Sequence, residues 1–223
     1  WKIAPALATG NTVVAKPSEI TPMTAFHFAR IAKAAGLPPG VLSIVHGFGP
    51  KVGPALTGHP DVKAVSFTGG TATGASIAAV VAPKFKKLSL ELGGKNPNVV
   101  FADADMDEAI KTSLRSSFQN QGQICLCGSR ILVEESAYAA FLERFVAGAG
   151  TLRQGDPLDP VTEQGAVVSK AHHDKIMSHI ALARQEGGNV ICGGGPPGPV
   201  SERCKNGYFI QPTVIVDLPM NCR

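Results

Sequence analysis

The sequence predicts an α/β protein built on a parallel sheet. Short β-branched runs alternate with segments of helical period across short connections, which is the pattern of βαβ units. Glycine-rich turns directly follow two of these runs and lead into helices. With 223 residues, the chain can hold one large or two small domains. We therefore expect a Rossmann-like parallel sheet over residues 1–94, followed by part of a second α/β domain over residues 95–223.

Periodicity and capping residues place the individual elements. The first predicted helix begins at Pro22, with Thr21 as its N-cap, and ends at Gly36. Asp105 is expected to cap a helix that runs from Met106 to Phe118. Strands are predicted at residues 12–15, 41–45, 62–67, 88–92, 98–101, 131–133, 190–192 and 208–216, the last interrupted by Pro212, and further helices at 75–82, 137–147 and 170–185.

Composition argues against several classes of partner. The net charge of +4 is mild, and the basic residues are scattered, whereas nucleic-acid binding would need a basic stripe with interleaved aromatic residues. No apolar run approaches the ~20 residues that a membrane helix needs. Five cysteines without framework spacing indicate a reducing compartment, and the N-terminal residues show no signal peptide. We therefore expect a cytoplasmic protein that binds neither nucleic acid nor membrane.

One cysteine and one carboxylate are candidates for chemistry. Cys125 lies in a polar, glycine-containing turn between two predicted elements, where backbone amides favour the nucleophilic thiolate. The alternative is a buried cysteine that packs as a small hydrophobic residue. Glu91, 34 residues upstream of Cys125, places a carboxylate between apolar leucines just before the pair Gly93 and Gly94, and this second stretch favours the functional interpretation of the cysteine.

Two glycine-rich turns are candidates for phosphate binding, because the free amides of a helix N-terminus attract anions. The first contains Gly47, Gly49 and Gly53, and it misses the usual dinucleotide spacing by one residue. The second runs from Gly69 to Gly74 and lacks the lysine of a P-loop. Tight strand-to-helix turns that need glycine would explain both equally well.

Lys16 and Glu19 follow the first predicted strand, at the carboxyl edge where open α/β sheets bind their ligands. A carboxylate there could hold ribose hydroxyls, and a lysine could reach another ribose oxygen. The alternative is an ordinary ion pair on the surface.

No metal site is predicted. The acidic run 103–107 resembles the start of a calcium loop, but its sixth position is Glu108 and its twelfth is Leu114, where glycine and glutamate are required. Cys125 and Cys127 are too close together for a C-x-x-C redox pair and have no partner pair for zinc.

Taken together, these motifs resemble the aldehyde dehydrogenase superfamily, and the similarity covers essentially the whole chain. The segment from Phe118 to Cys125 is similar to the family's cysteine signature, and the segment from Leu90 to Lys95 to its glutamate signature. Residues 10–19 and 67–74 resemble its NAD-site segments, and residues 208–213 resemble another recurring family segment.

The resemblance implies NAD-dependent oxidation of a small-molecule aldehyde to a carboxylic acid through a thiohemiacetal and a thioester. Cys125 would be the nucleophile, with its backbone N–H holding the oxyanion, and Glu91 the general base. Glu19 favours NAD over NADP, because its carboxylate would repel a 2′-phosphate. The residues implied to line the cofactor site are Lys16, Glu19, Gly49, Gly53, Gly69, Gly70, Gly74 and Leu92.

The chain also departs from the family pattern. Family members are longer, so we expect an internal fragment or truncated form that lacks a catalytic asparagine upstream and a ribose-contacting segment downstream. Gly70 stands where the family often has serine. The full-length protein is expected to form homo-oligomers, and residues 115–118, 125–127 and 169–172 resemble the aminomuconic semialdehyde dehydrogenase branch. The alternative is a non-catalytic fragment that binds nucleotide weakly or pairs with other subunits.

Overall fold

A computed structural model describes residues 1–222 and divides the chain into two compact units. The first unit is Trp1–Gly93, and the second begins at Gly94. Helices and strands alternate in both units, so the predicted α/β class is confirmed. The roles expected for the two parts, cofactor binding and catalysis, stay predictions at this point.

The first unit consists of two parallel strand pairs with helices between the strands. Its elements are α1 (Ile3–Ala8), β1 (Val13–Ala15), α2 (Met23–Ala34), β2 (Leu42–Ile44), α3 (Gly49–Gly58), β3 (Ala64–Gly69), α4 (Thr71–Val81) and β4 (Lys87–Leu92). Strand β1 pairs with β2, and β3 with β4, both in parallel. The carboxyl ends of the two strands in each pair therefore lie at the same edge, which brings the segments that follow them close together.

The second unit combines one parallel and one antiparallel strand pair. Its elements are β5 (Pro97–Val100), α5 (Met106–Phe118), β6 (Arg130–Val133), α6 (Glu135–Thr151), α7 (Lys170–Gln185), β7 (Asn189–Cys192) and β8 (Val214–Val216). Strands β5 and β6 are parallel, whereas β7 and β8 are antiparallel with an irregularity between Val190 and Cys192. The parallel pairing predicted for residues 1–94 is therefore found in the first unit, and the last strand pair of the second unit is antiparallel.

The core of the second unit lies between α5, α6 and the strand pair β5–β6. Its buried members are Val100, Ile110, Phe141 and Phe145. The rings of Phe141 and Phe145 stack with their centroids 5.5 Å apart, and the ring of Phe118 lies 5.9 Å from that of Phe145. This packing fixes the C-terminal end of α5, from which the segment that carries Cys125 leaves.

Helix α2 agrees with its prediction in extent but not at its start or in its burial. Thr21 does not cap the helix; Pro22 occupies the N-cap position without a side-chain hydrogen bond. Gly36 adopts the left-handed conformation expected after a helix, with φ of 84°. No residue of α2 is buried, and Ile31 on its apolar face is 64% exposed.

The predicted strand over residues 208–216 was largely wrong, because only β8 forms. The preceding backbone bonds to other loops. The carbonyl of Tyr208 accepts from the N–H of Val167 at 2.8 Å, and the carbonyl of Ile210 accepts from Nε2 of Gln154 at 2.6 Å. This segment is therefore anchored by single contacts and not by a strand ladder.

Three further findings concern residues 1–222. No helix there is both long and apolar enough to cross a bilayer. No group of three or more His, Cys, Asp or Glu side chains in that range is arranged to hold a metal ion. All five cysteines are free thiols, and Cys127 is buried.

Asp105 is expected to stabilise α5 as its N-cap. Its carboxylate accepts from the N–H groups of Asp107 at 3.1 Å and Glu108 at 3.2 Å. Asp105→Ala leaves both donors without this acceptor and should lower the free energy of unfolding by about 1 kcal/mol, measured by urea denaturation. The matched control is Asp103→Ala at an exposed position just before the helix, which should change stability by less than about 0.5 kcal/mol. Equal effects of the two substitutions would contradict the capping role.

Candidate active site

The segment between α5 and β6, residues 119–129, is called the cysteine turn below. It begins with three consecutive residues in the left-handed region, with φ of 52° at Asn120, 56° at Gln121 and 71° at Gly122. This conformation is unfavourable for residues other than glycine. Local hydrogen bonds, such as the one from the N–H of Gln123 to the carbonyl of Asn120 at 3.0 Å, join residues within the segment but do not attach it to the neighbouring elements. Contacts from other elements must therefore hold it.

Cys125 occupies an open position in the cysteine turn. Its side chain is exposed, whereas that of Cys127 is 7% exposed. The N–H of Cys127 donates to the carbonyl of Ile124 at 3.1 Å and closes a β-turn around Cys125 and Leu126. Within the part of the chain that the structure describes, the N–H groups of Ile124, Cys125 and Leu126 donate to no acceptor. They are therefore available to an oxygen anion beside the Cys125 thiol.

Asn96, which directly precedes β5, holds the centre of the cysteine turn. Its Nδ2 atom donates to the carbonyl of Cys125 at 2.7 Å and to the carbonyl of Cys127 at 3.2 Å. The one amide nitrogen thus connects the start of a strand to both sides of Leu126.

Two serines in the last turn of α5 bind the cysteine turn at Gly128. The Oγ atom of Ser116 accepts from the N–H of Gly128 at 2.9 Å, and the Oγ atom of Ser117 donates to the Gly128 carbonyl at 3.1 Å. There is no room for a side chain at this position, because a Cβ atom would lie 2.8 Å from Oγ of Ser116. Glycine is thus required here by close approach.

Two glutamines connect the cysteine turn to the loop before α7. Gln164, which is 4% exposed, donates from Nε2 to the carbonyl of Phe118 at 2.7 Å and so satisfies the end of α5. Gln123 accepts at Oε1 from the N–H of Val168 at 3.0 Å. The turn is therefore held from three directions: β5, α5 and this loop.

Glu91 lies near the carboxyl end of β4, in register with Thr68 of β3. Side chains alternate between the two faces of a strand, so Leu88, Leu90 and Leu92 are half-buried on one face and Glu91 is exposed on the other. The leucines that flank Glu91 in the sequence therefore do not surround its carboxylate, contrary to what the sequence indicated.

The second glycine-rich turn connects β3 to α4, and it is shorter than predicted because the helix begins at Thr71. Gly70 is the N-cap, and a Cβ atom built there has no neighbour within 4 Å. Gly74 is buried one turn into the helix, where a Cβ atom would lie 2.9 Å from Cδ2 of Leu92. Gly70 thus leaves open space, whereas Gly74 and Leu92 pack together.

The first glycine-rich turn meets Lys16 and Glu19 at the carboxyl ends of β1 and β2. The Nζ atom of Lys16 donates to Oε2 of Glu19 at 3.0 Å and to the carbonyls of Pro17 at 2.6 Å and Gly47 at 3.1 Å. Hydrogen bonds from the Glu19 backbone N–H, then from Lys16 and from the N–H of Gly49, hold the pKa of the Glu19 carboxyl below its ordinary value. An ionised carboxylate therefore lies at the N-terminus of α3.

Comparison with known proteins identifies the family of this chain. The profile described as the aldehyde dehydrogenase family matches residues 1–223. The chain belongs to the aldehyde dehydrogenase family. This finding agrees with the resemblance of the cysteine and glutamate signatures.

Individual relatives match the chain over nearly its whole length. The 2-aminomuconic semialdehyde dehydrogenase of Bos taurus is 53% identical over 224 residues, which cover 98% of this chain and 45% of the relative. The chloroplastic betaine aldehyde dehydrogenase of Beta vulgaris is 46% identical over 218 residues, with coverages of 98% and 43%. The chain therefore spans about half the length of the curated relatives it matches.

Solved structures match the fold closely. Betaine aldehyde dehydrogenase from Staphylococcus aureus in complex with NAD+ has a TM-score of 0.94 at 40% identity, covering 100% of this chain and 44% of that one. PnpE from Pseudomonas sp. WBC-3 has a TM-score of 0.93 at 41% identity, covering 100% and 46%.

In this aldehyde dehydrogenase chain, the predicted site residues fall into three groups. Lys16, Glu19 and Gly49 meet at one sheet edge, whereas Gly53 lies inside α3 and not in the turn. Gly69, Gly70, Gly74 and Leu92 cluster at the second turn, near Glu91 in the first unit. Cys125 lies in the second unit.

Sequence reasoning missed the residues that hold the cysteine turn. These residues are Asn96, Ser116, Ser117, Gln123 and Gln164. Two adjacent hydroxyl residues in the last turn of a predicted helix, directly before a polar turn, were a signal that could have pointed to Ser116 and Ser117. Nothing local in the sequence marks Gln164.

Gly128→Ala should disrupt the cysteine turn, because the new methyl group collides with Ser116. The expected loss is about 1–3 kcal/mol of unfolding free energy, measured by urea denaturation. The matched control is Gly198→Ala, where a Cβ atom has no neighbour within 4 Å and φ is not left-handed. A Gly128→Ala protein as stable as the Gly198→Ala protein would show that the close approach is not required.

Proposed function

We propose that this protein is an NAD-dependent aldehyde dehydrogenase that oxidises a small-molecule aldehyde to a carboxylic acid. The observation that carries the proposal is the position of Cys125, whose exposed thiol lies in a turn where the amides on both sides have no acceptor among residues 1–222. Membership of the aldehyde dehydrogenase family supports the same reaction. In this proposal residues 1–94 belong to the cofactor domain and residues 95–223 to the catalytic domain.

Cys125 would begin the reaction as the nucleophile. Its thiolate sulfur forms a bond to the carbonyl carbon of the aldehyde, and the electron pair of the C=O bond moves to the oxygen, which gives a thiohemiacetal oxyanion. The unpaired N–H groups of Cys125 and its neighbours can donate to that oxygen. A serine could not replace the cysteine, because the later acyl intermediate must release its sulfur readily.

The first unit has features that fit a dinucleotide. Helix α4 begins without a side-chain cap among residues 1–222, so its first amides are available to phosphate oxygens. The start of α3 offers less, because the N–H of Gly49 bonds the Glu19 carboxylate and the N–H of Lys51 donates to the carbonyl of Phe48. Open space adjoins Gly53 and Gly70, and the ionised Glu19 beside Lys16 and Gly49 suits ribose hydroxyls. Gly69, Gly74 and Leu92 would shape the wall beside α4. When bound, NAD supplies the acceptor for the hydride whose loss converts the thiohemiacetal carbon to a thioester.

Glu91 would complete the reaction as the general base. Its carboxylate takes a proton from water, the resulting hydroxide attacks the thioester carbon, and the C–S bond breaks to release the Cys125 thiolate and the carboxylic acid, which loses its proton to solvent. The exposure of Glu91 on its strand face supports access to water.

The pattern of identities supports a proposal on the substrate branch. Four 2-aminomuconic semialdehyde dehydrogenases are 51–54% identical to this chain, against 46–47% for betaine aldehyde dehydrogenase and aldehyde dehydrogenase 1A1. We propose that the protein acts on an aldehyde of the aminomuconic semialdehyde type. Its five free thiols support a reducing, cytoplasmic compartment, and a homo-oligomer remains part of the proposal.

One observation favours the second candidate, a non-catalytic binding or interaction fragment. Large apolar side chains are exposed along the first unit, among them Val14, Phe28, Ile31 and Phe48. Apolar surface of this extent suits association with another protein surface. A cofactor that stabilises the chain would argue for an assembled NAD site, whereas association without such stabilisation would support this alternative.

Cys125→Ala should reduce aldehyde-dependent NADH formation by at least about 10⁴-fold, because no other group can form the thioester. Glu91→Gln should retain the first burst of NADH and lose steady-state turnover, because only thioester hydrolysis is impaired. Stopped-flow absorbance at the NADH band separates the two phases. The matched control is Cys222→Ala, which removes another exposed thiol and should leave the rate unchanged. Substantial activity of Cys125→Ala would refute the assignment.

NAD should raise the melting temperature of the chain, since a ligand that binds only the folded state stabilises it. At about 100 times its Kd the gain is about 2.7 kcal/mol, or roughly 5–10 °C for a chain of this size. Glu19→Gln should diminish the shift, because the ribose hydroxyls lose an ionised acceptor. The matched control, Glu143→Gln on the exposed surface of α6, should keep it. NADP should give a smaller shift than NAD, and equal shifts for the two would contradict the role of Glu19.

A further inference from the structure

Asn96 reaches the cysteine turn with one atom that serves two acceptors. Its Nδ2 atom lies 2.7 Å from the carbonyl oxygen of Cys125 and 3.2 Å from that of Cys127. Both neighbours are carbonyls, so the atom between them has to be the amide nitrogen and not the amide oxygen. A carboxamide nitrogen carries two hydrogens, one for each carbonyl. A donor with a single hydrogen would have to share that hydrogen between the two carbonyls.

The backbone of Asn96 is fixed by the sheet. Its carbonyl accepts from the N–H of Arg130 at 3.4 Å, directly before the register in which Pro97 of β5 pairs with Arg130 of β6. The side chain itself is half-buried. The position of Nδ2 is therefore set by a strand pair, while the carbonyls that it binds belong to a turn.

These bonds determine which way the free amides point. A trans peptide is planar, and its N–H points opposite to its C=O. The bond from Asn96 to the Cys125 carbonyl therefore directs the N–H of Leu126 away from Asn96. The bond from the Cys127 N–H to the Ile124 carbonyl directs the N–H of Cys125 away from Cys127 in the same manner. Both directed amides lack an acceptor within residues 1–222.

We propose that Asn96 is the positioning residue of the nucleophile. This role of Asn96 rests on the proposed function, in which Cys125 attacks an aldehyde. Asn96 fixes the peptide groups on the C-terminal side of Cys125, so that the free N–H of Leu126 stays beside the thiol, next to the N–H of Cys125 that the bond from Cys127 to Ile124 directs. There they stabilise negative charge, first on the sulfur and then on the aldehyde oxygen when the S–C bond forms. Asn96 itself touches neither the substrate nor the reacting atoms.

Two substitutions of Asn96 that leave different numbers of hydrogen-bond donors separate this positioning role from simple packing. Asn96→Asp preserves the shape, removes both donors and places a carboxylate against two carbonyl oxygens. Asn96→Ser retains one donor. The matched control is Asn206→Asp, which makes the same chemical change at an exposed position of the second unit.

The test is the rate at which iodoacetamide labels each cysteine of the 223-residue chain near neutral pH, read by peptide mass spectrometry. In the unchanged chain Cys125 should react faster than Cys222, which is also exposed. Asn96→Asp should slow the labelling of Cys125 about tenfold, since two hydrogen bonds that align charge-stabilising amides are lost. Asn96→Ser should slow it less, and Asn206→Asp should not change it. The rates at Cys192 and Cys204 should stay the same in every variant.

Each other result decides against the proposal. An unchanged Cys125 rate in Asn96→Asp would overturn it. Faster labelling of the buried Cys127 and of Cys192, without slower labelling of Cys125, would show that Asn96 only maintains the fold, and would overturn it too. In both cases the proposed function would stand. If Cys125 of the unchanged chain reacts no faster than Cys222, the proposed function fails, and the role of Asn96 fails with it.

Discussion

The conformation of the cysteine turn depends on hydrogen bonds from side chains whose own backbone lies elsewhere. Two residues other than glycine, Asn120 and Gln121, adopt left-handed backbone at a cost of about 1–2 kcal/mol each. Against this, the side chains that bind the turn and the end of α5 contribute about 1 kcal/mol per hydrogen bond, and they are those of Asn96, Ser116, Ser117, Gln123 and Gln164. The two effects are of the same order, so the turn persists only while these anchors are in place. This balance explains why the partners of the turn come from a strand, a helix and a loop together.

The hydrophobic core of the second unit reaches the candidate site through α5. Phe118, the last residue of that helix, stacks near Phe145 with its ring and offers its carbonyl to Gln164. The next hydroxyls back along the helix, Ser116 and Ser117, bind Gly128. A change in core packing that moved α5 would therefore also move both serine anchors of the turn and the carbonyl that Gln164 binds. Helix α5 takes part both in the hydrophobic core and in holding the cysteine turn, so the position of Cys125 is sensitive to substitutions in the core.

The sequence predicted features that depend on neighbours along the chain. Helix α5 was predicted with its observed limits, because Asp105 caps amides only two and three residues away. Helix α4 was predicted to start too late, because Gly74 was interpreted as part of a turn. Gly74 instead lies inside the helix, where its lack of a side chain leaves room for Leu92 of β4, 18 positions further along the chain. The leucines that flank Glu91 in the sequence also gave a wrong expectation of an apolar setting for its carboxylate. Successive side chains of a strand lie on opposite faces, so the leucines and Glu91 are on different sides of β4.

At the carboxyl ends of β1 and β2, where we propose that the cofactor binds, the hydrogen bonds of Lys16 affect which ligand groups can be recognised. The ammonium of Lys16 has three hydrogens, and Glu19, Pro17 and Gly47 supply an acceptor for each. A ligand hydroxyl would have to displace one of these acceptors before Lys16 could donate to it. The carboxylate of Glu19 keeps 38% of its side chain exposed and accepts further hydrogen bonds without such an exchange. Selectivity at this edge therefore rests on a negatively charged acceptor, which favours ligands that present hydroxyl donors over ligands that present another phosphate.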